Sequence, residues 1–216
     1  MKKFELTTDS IKRNGVTLYR IKSLIDFEDV KAGDLGGYVE KEENLSQYGN
    51  AWVYGNAEVS GDAWVSGDAR VSGDACVSGN ARVCCDACVS GNARVCDNAC
   101  VYDNACVSGN ARVYDNACVS GNACVFGDAW VSDDARVYDD ALIFSNADYI
   151  YLKGFGSHNR STTMFRTNGG NICVSCGCFS GTLEEFESKV KETHGSNKFA
   201  REYLALVEVA KIHFEV

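Results

Sequence analysis

An alanine stands at every sixth position from Ala51 through Ala147, seventeen times without a miss, and no other feature constrains the fold as tightly. Two residues after each alanine comes valine, from Val53 to Val137, then Ile143 and finally Tyr149. Between these pairs lies a turn unit such as Ser66-Gly67-Asp68 or Ser108-Gly109-Asn110. Six residues is not a whole number of α-helical turns, so a helix would scatter the alanines and valines around its circumference. In a strand, residues two apart face the same side. Glycine with aspartate or asparagine then supplies a corner, because these residues tolerate left-handed and turn conformations. Three such sides close a triangular coil, with each coil hydrogen-bonded to the next at a spacing of ~4.8 Å. The repeats fill between five and six coils, a rod of roughly 27 Å at that spacing. Valine fills the middle of the interior and alanine fits near the crowded corner. The absence of proline suits an uninterrupted ladder.

This pattern resembles the hexapeptide-repeat, left-handed parallel β-helix superfamily, and the resemblance covers nearly half the chain. It implies a mainly β fold, a left-handed solenoid, and the trimeric assembly common in that superfamily. Many such proteins are acyltransferases and others are zinc carbonic anhydrases. Both use histidines projecting from or between coils, as general base or as metal ligands. Here His158, His194 and His213 all follow the repeats, which argues against both activities.

The solenoid is assigned to residues 45–148, preceded by an N-terminal cap over 1–44 with a strand at 16–25. Val39 and Leu45 stand in the alanine phase, so winding is expected to begin before Ala51. A solenoid needs its ends covered against end-to-end pairing. Residues 149–216 read as a small α+β appendage. Strands are expected at 149–155 and 162–178, with Asn168-Gly169-Gly170-Asn171 as a hairpin turn. Thr182-Leu183-Glu184-Glu185 is a capping box that opens a helix, and His194-Gly195 closes it. A second helix carries Phe199, Tyr203, Leu206, Val207, Ala210 and Phe214 at helical spacing. The stretch from Gly33 to Glu40 with Asn44-Leu45-Ser46, and that from Cys176 to Phe186, resemble segments of phage and prophage proteins. That resemblance implies a phage-encoded accessory protein and no established chemistry.

The net charge of −9 argues against direct nucleic-acid binding. The repeats from Ala51 to Ala147 hold thirteen acids against five arginines, so they carry most of that charge. No apolar run marks a signal or a membrane span, and the expected location is the cytosol of a bacterial host cell. Nine of the twelve cysteines lie in the repeats and are expected to be reduced. Their spacing stacks Cys88, Cys106 and Cys124 on one face and Cys100 with Cys118 on another. Stacked thiols could be bridged or share a soft metal, but parallel side chains are poorly aimed for either. Cys173, Cys176 and Cys178 lack a fourth zinc ligand. No metal site and no cofactor is expected.

The segment 154–166 is the candidate site. Gly154 and Gly156 let backbone approach a ligand, and Ser157, His158, Arg160, Thr162 and Arg166 offer polar groups. On an extended strand Arg160, Thr162 and Arg166 share one face, joined by His158. Two guanidiniums with hydroxyls between them suit a phosphate or carboxylate. The expected function is therefore a non-enzymatic, phage-encoded binding protein that sequesters a small anionic, nucleotide-like signal of host defence. The alternatives are an acidic scaffold binding a host protein or mimicking nucleic acid, and an enzyme of another type. Aromatic residues on the solenoid sides, among them Trp52, Trp64 and Trp130, are expected either to form an interface in a homo-oligomer, with a trimer favoured, or to lie under the terminal segments.

Overall fold

A computed structural model describes residues 2–216. β1 (Phe4–Arg13) and β2 (Val16–Ser23) form an antiparallel hairpin, followed by β3 (Leu35–Val39). Sixteen two-residue strands follow, from β4 (Trp52–Val53) to β19 (Leu142–Ile143). The chain ends with β20 (Tyr149–Phe155), β21 (Arg160–Arg166), β22 (Ile172–Cys176), β23 (Phe179–Thr182), α1 (Leu183–His194) and α2 (Lys198–Phe214).

The sixteen short strands wind into a parallel β-solenoid with three sheets. One runs β4-β7-β10-β13-β16-β19 and a second β6-β9-β12-β15-β18. The third runs β5-β8-β11-β14-β17 and is extended at its start by β3, β2 and β1. Each repeat valine pairs with its equivalent one coil away, as Val89 does with Val71 and Val107. The interior is a column of fully buried alanines and valines. The corners take a left-handed backbone, at Gly67 for example, and at Asp97, Asp103, Asp115, Asp133, Asp139 and Cys85 where glycine is replaced. Coils approach closely there, since a Cβ on Gly67 would sit 2.8 Å from the backbone nitrogen of Cys85.

The corner asparagines form amide ladders. Asn80 Nδ2 donates to Asn98 at 3.0 Å, Asn98 to Asn116 at 3.2 Å, and Asn116 to Asp134 at 3.1 Å. Each amide thereby satisfies the next coil, and aspartate, an acceptor only, receives the final bond.

The winding departs from the expected register at both ends. Ala147 is exposed, in a 3-10 turn over Asn146–Asp148, so sixteen repeats wind rather than seventeen. Ser145 occupies the corner position but is extended, with φ −151°, and Asp148 accepts from the Phe144 and Ser145 nitrogens at 3.0 and 2.9 Å. That local turn replaces the corner and leads the chain out. At the start, Val39 pairs with Val59 and Leu45 bridges Val65, so both sit at the valine position rather than the alanine one. The cause is volume: these side chains fit mid-face, and the alanine site does not admit them. Leu45 pairs twenty residues ahead and Trp52 eighteen, so the two extra residues lie between Leu45 and Gly49, where the Tyr48 nitrogen donates to Ser46 Oγ at 3.1 Å; in the 3-10 turn just before, Asn44 Nδ2 donates to the Gly61 and Ala63 carbonyls at 3.0 and 2.8 Å.

In the appendage, β20-β21-β22-β23 form an antiparallel sheet. The segment 162–178 forms the expected hairpin, β21 and β22 joined through the anticipated turn, where Gly170 has φ +80°. One face of the sheet, with Met164, Val174 and Cys176, packs on Phe186, Tyr203 and Val207 of the two helices. The other meets the solenoid. Phe165 inserts into the solenoid core edge-on to Tyr138, with ring centroids 5.1 Å apart. Thr182 and Glu185 make the expected capping box at α1, and Gly195 ends that helix at φ +57°.

The terminal segments cover some of the solenoid's aromatic residues and leave others free. Trp52 is buried under Phe4 and Phe27, at 6.2 and 5.5 Å. Trp64, Trp130 and Phe144 remain exposed. Among the described residues no helix is long and apolar enough to cross a membrane.

Candidate functional site

The sheet alternation fixes where the segment 154–166 points its side chains. Arg160, Thr162, Met164 and Arg166 of β21 share one face, as the sequence implies, but that face is roofed by α1 and α2. The two arginines therefore leave opposite ends of a buried strand, with Cα atoms roughly 20 Å apart. Thr162 and Met164 are fully buried between them. Thr162 Oγ1 donates to Cys176 Sγ at 3.2 Å, and Arg166 donates to the Phe214 carbonyl at 2.9 Å while lying over that ring. A single clamp of Arg160, Thr162 and Arg166 does not exist. Arg166 ties down the end of α2 and Thr162 belongs to the core.

The near end of the strand is different. Here a cavity of about 440 Å³ opens between the sheet edge and the two helices. Ser157, His158 and Arg160 line it, three of the residues expected from the sequence. Gly156 stands behind it with φ +72°, buried so closely against Tyr203 that a Cβ would lie 2.0 Å from the phenol oxygen. Its amide donates to Glu202 at 3.1 Å. Gly154, by contrast, faces open space and only shapes the bulged strand.

The sequence reading missed the other half of the wall, which comes from β22, β23 and the helices. Phe179, Phe186 and Tyr203 form a continuous aromatic surface, with centroids 5.3 Å apart for the first pair and 5.6 Å for the second. His194 stacks on Tyr203 at 5.8 Å. Burial and the neighbouring Cys176 push the Tyr203 hydroxyl up to about 12, so it remains a neutral donor. Lys189 and His194 add basic groups from α1. Lys189 is engaged with Glu192 at 2.8 Å, whereas Arg160 has no ion pair among the described residues. The helical spacing of Phe186, Lys189 and Val190, in step with Thr193 and His194, places them on one side of α1, which was the available signal.

For nucleophilic chemistry the site offers Ser157 Oγ, 2.9 Å from His158 Nδ1. Both residues are exposed at a hairpin tip, and the ring shows no carboxylate partner to orient it. Cys173, Cys176 and Cys178 do not converge: Cys173 packs on the solenoid core, Cys176 is buried beneath the helices, and Cys178 is exposed in the turn between β22 and β23. Among the described residues no group of three or more His, Cys, Asp or Glu side chains could hold a metal.

The architecture thus defines a parallel β-solenoid with a six-residue period, carrying an α+β appendage with a basic, aromatic-walled pocket. No family model matches the chain. Over 51 residues it is 43% identical to an uncharacterized acetyltransferase, YdcK, of Escherichia coli (strain K12). That stretch is 24% of this chain and spans 15% of the length of that protein.

Proposed function

We propose that the chain is a non-enzymatic binding protein whose appendage pocket takes a small ligand with a planar ring and an anionic group, the combination that a nucleotide offers. The observation that carries this reading is Arg160, free of any acidic partner, beside the Phe179–Phe186–Tyr203 surface in one cavity. A guanidinium in a mostly apolar recess pairs strongly with an anion, and aromatic faces stack on any base. On the further proposal that the chain is phage-encoded, the ligand class is a nucleotide-derived signal of host defence, which the protein would sequester without turnover. The test is mass spectrometry of small molecules released on heating protein purified from phage-infected cells. A phosphorylated compound at one per chain, lost in Arg160→Ala, is expected. An empty wild-type protein that also binds no nucleotide in calorimetry refutes the reading.

The similarity to an acetyltransferase favours a second reading, acyl transfer. The solenoid carries no histidine, so the base would be His158 or His194 in the pocket. Acetyl transfer from acetyl-coenzyme A that disappears in His158→Ala would replace the binding reading with this one.

A further inference from the structure

On the opposite face of the same sheet edge lies a second recess, of about 300 Å³, where the appendage meets the last coil. Its lining differs in kind from the aromatic pocket. Arg136 comes from β18 of the solenoid, Lys153 from β20, and Ser161 and Ser175 present hydroxyls from β21 and β22. Arg160 lines this recess as well as the aromatic pocket, because its side chain folds over Gly177 at the tip of the sheet. A Cβ on Gly177 would lie 2.1 Å from Arg160 Nη1, so only glycine allows this path.

The charge in the recess is opposite to that of the molecule. Its lining holds Arg136, Lys153 and Arg160 against one acid, Asp134, with Asp133 beside it, on a chain whose net charge is −9. Asp134 is already engaged. Lys153 Nζ donates to it at 2.8 Å, Asn116 Nδ2 at 3.1 Å and the Tyr151 hydroxyl at 3.3 Å, and these bonds, that of Lys153 foremost, hold its carboxyl below the usual range. Arg136 and Arg160 have no ion pair among the described residues. The position of Arg136 is fixed from the appendage side, since its backbone amide donates to Thr163 Oγ1 at 3.0 Å.

We propose that this recess is the phosphate subsite of the aromatic pocket, so that the ligand straddles Arg160 with its ring against Phe179, Phe186 and Tyr203 and its phosphate between Arg136, Arg160 and the Ser161 and Ser175 hydroxyls. The proposal rests on the binding reading above and extends it: the ligand class is a phosphorylated nucleoside, and the solenoid itself supplies a binding residue. It also gives the docking of the appendage a role, because Arg136 and Arg160 come together only when β21 lies on the last coil.

The experiment is calorimetric titration of the full chain with the four common nucleosides, their 5′-monophosphates and inorganic phosphate. For at least one base the monophosphate is expected to bind more tightly than its nucleoside by roughly tenfold to a hundredfold, the range for a charge-assisted hydrogen bond. Arg136→Ala is expected to remove that advantage and leave nucleoside affinity unchanged. Arg82→Ala serves as the control for general charge, since Arg82 sits on the same solenoid face three coils earlier. Lys153→Ala, which leaves the Asp134 carboxylate without its cation and so opposed to the phosphate, provides an independent loss. A phosphate advantage that survives both Arg136→Ala and Lys153→Ala overturns the subsite while nucleoside binding preserves the pocket reading. An equal loss in Arg82→Ala overturns it too, as a charge effect. Failure of every probe overturns both proposals.

Discussion

Phe165 belongs to the appendage by sequence and to the solenoid by packing, and truncating it separates the two roles. The ring is fully buried, within the core cluster of the repeats and edge-on to Tyr138. Phe165→Ala therefore removes an entire buried aromatic side chain and leaves a cavity beneath the last coil, for a cost of about 3–5 kcal/mol. Phe144→Ala is the matched comparison. Phe144 is 52% exposed and touches Phe126, so its loss is expected to cost about 1 kcal/mol. A solenoid couples each coil only to its neighbours, so the Phe165 defect should stay at the C-terminal end. Trp130 reports on that end, since the Tyr149 hydroxyl donates to its carbonyl, and Trp52 reports on the first coil. In variants retaining one tryptophan, urea unfolding followed by fluorescence should show a lowered midpoint at Trp130 and an unchanged one at Trp52. Equal shifts at both positions, or a cost no larger than that of Phe144→Ala, would refute the claim that this ring seals the coil.

Val95→Asp places an unpaired charge in the alanine–valine column and should abolish the folded solenoid, seen as loss of the β-sheet circular dichroism signal; retention of the wild-type spectrum would contradict the assigned core. Gly67→Ala should destabilise and Cys85→Gly should stabilise, each by about 1–3 kcal/mol, because Gly67 has both a positive φ and no room for a Cβ while Cys85 holds φ +62° without being glycine; denaturation midpoints moving in the same direction would count against this. Burial pushes Lys3 down to about 8, so between that value and about 10.4 the unfolded chain binds more protons and this group's contribution to stability rises with pH. The urea midpoint difference between wild type and Lys3→Met should therefore shift in favour of wild type from about pH 7 to about pH 10, and a constant difference would rule it out. The hydrogen bond from Cys106, with Arg70 nearby, holds the Cys88 thiol below the ordinary range, whereas burial pushes Cys84, Cys96 and Cys124 up. Limiting iodoacetamide at neutral pH should alkylate Cys88 before those three in peptide mapping, and the reverse order would exclude an activated pair.

The solenoid was legible because its information is periodic. An alanine–valine pair every six residues fixes face, corner and register together, and a one-residue slip would turn every valine outward. The stacking of Cys88, Cys106 and Cys124 follows from the same count, and the strand register places them in adjacent coils. The ends lack that redundancy. β1 was hidden by the polar run Thr7-Thr8-Asp9-Ser10, although Asn14-Gly15, a tight hairpin dipeptide, marked the turn to β2. Val39 and Leu45 were placed by counting back in sixes, and their size overrode the count. In the appendage, alternation along β21 correctly grouped Arg160 with Arg166, but it could not show that two helices cover the middle of that face. The pocket wall from β23, α1 and α2 is assembled by tertiary packing between segments up to 46 residues apart, as Gly156 and Glu202 illustrate, and no local pattern encodes it.

The acidity of the whole chain was grounds for excluding a phosphate backbone as partner, and the same grounds do not reach the recess at the end of the rod. Screening at physiological salt confines an exposed charge to about 8 Å, while the aspartates are spread along a rod of roughly 27 Å. A nucleic acid lying along the solenoid would meet all of them, whereas a single phosphate at Arg136 and Arg160 would meet Asp134 in the recess and Asp133 beside it. Asp134 already accepts from Lys153, Asn116 and Tyr151. It is also the terminus of an amide ladder that starts at Asn80, so this ladder ends on an acid that the appendage neutralises through Lys153. A chain can in this way repel polyanions along its length and still accept one small anion at its end, because the acids sit at the corners whereas Arg136 lies on a face of the last coil and Arg160 on the appendage.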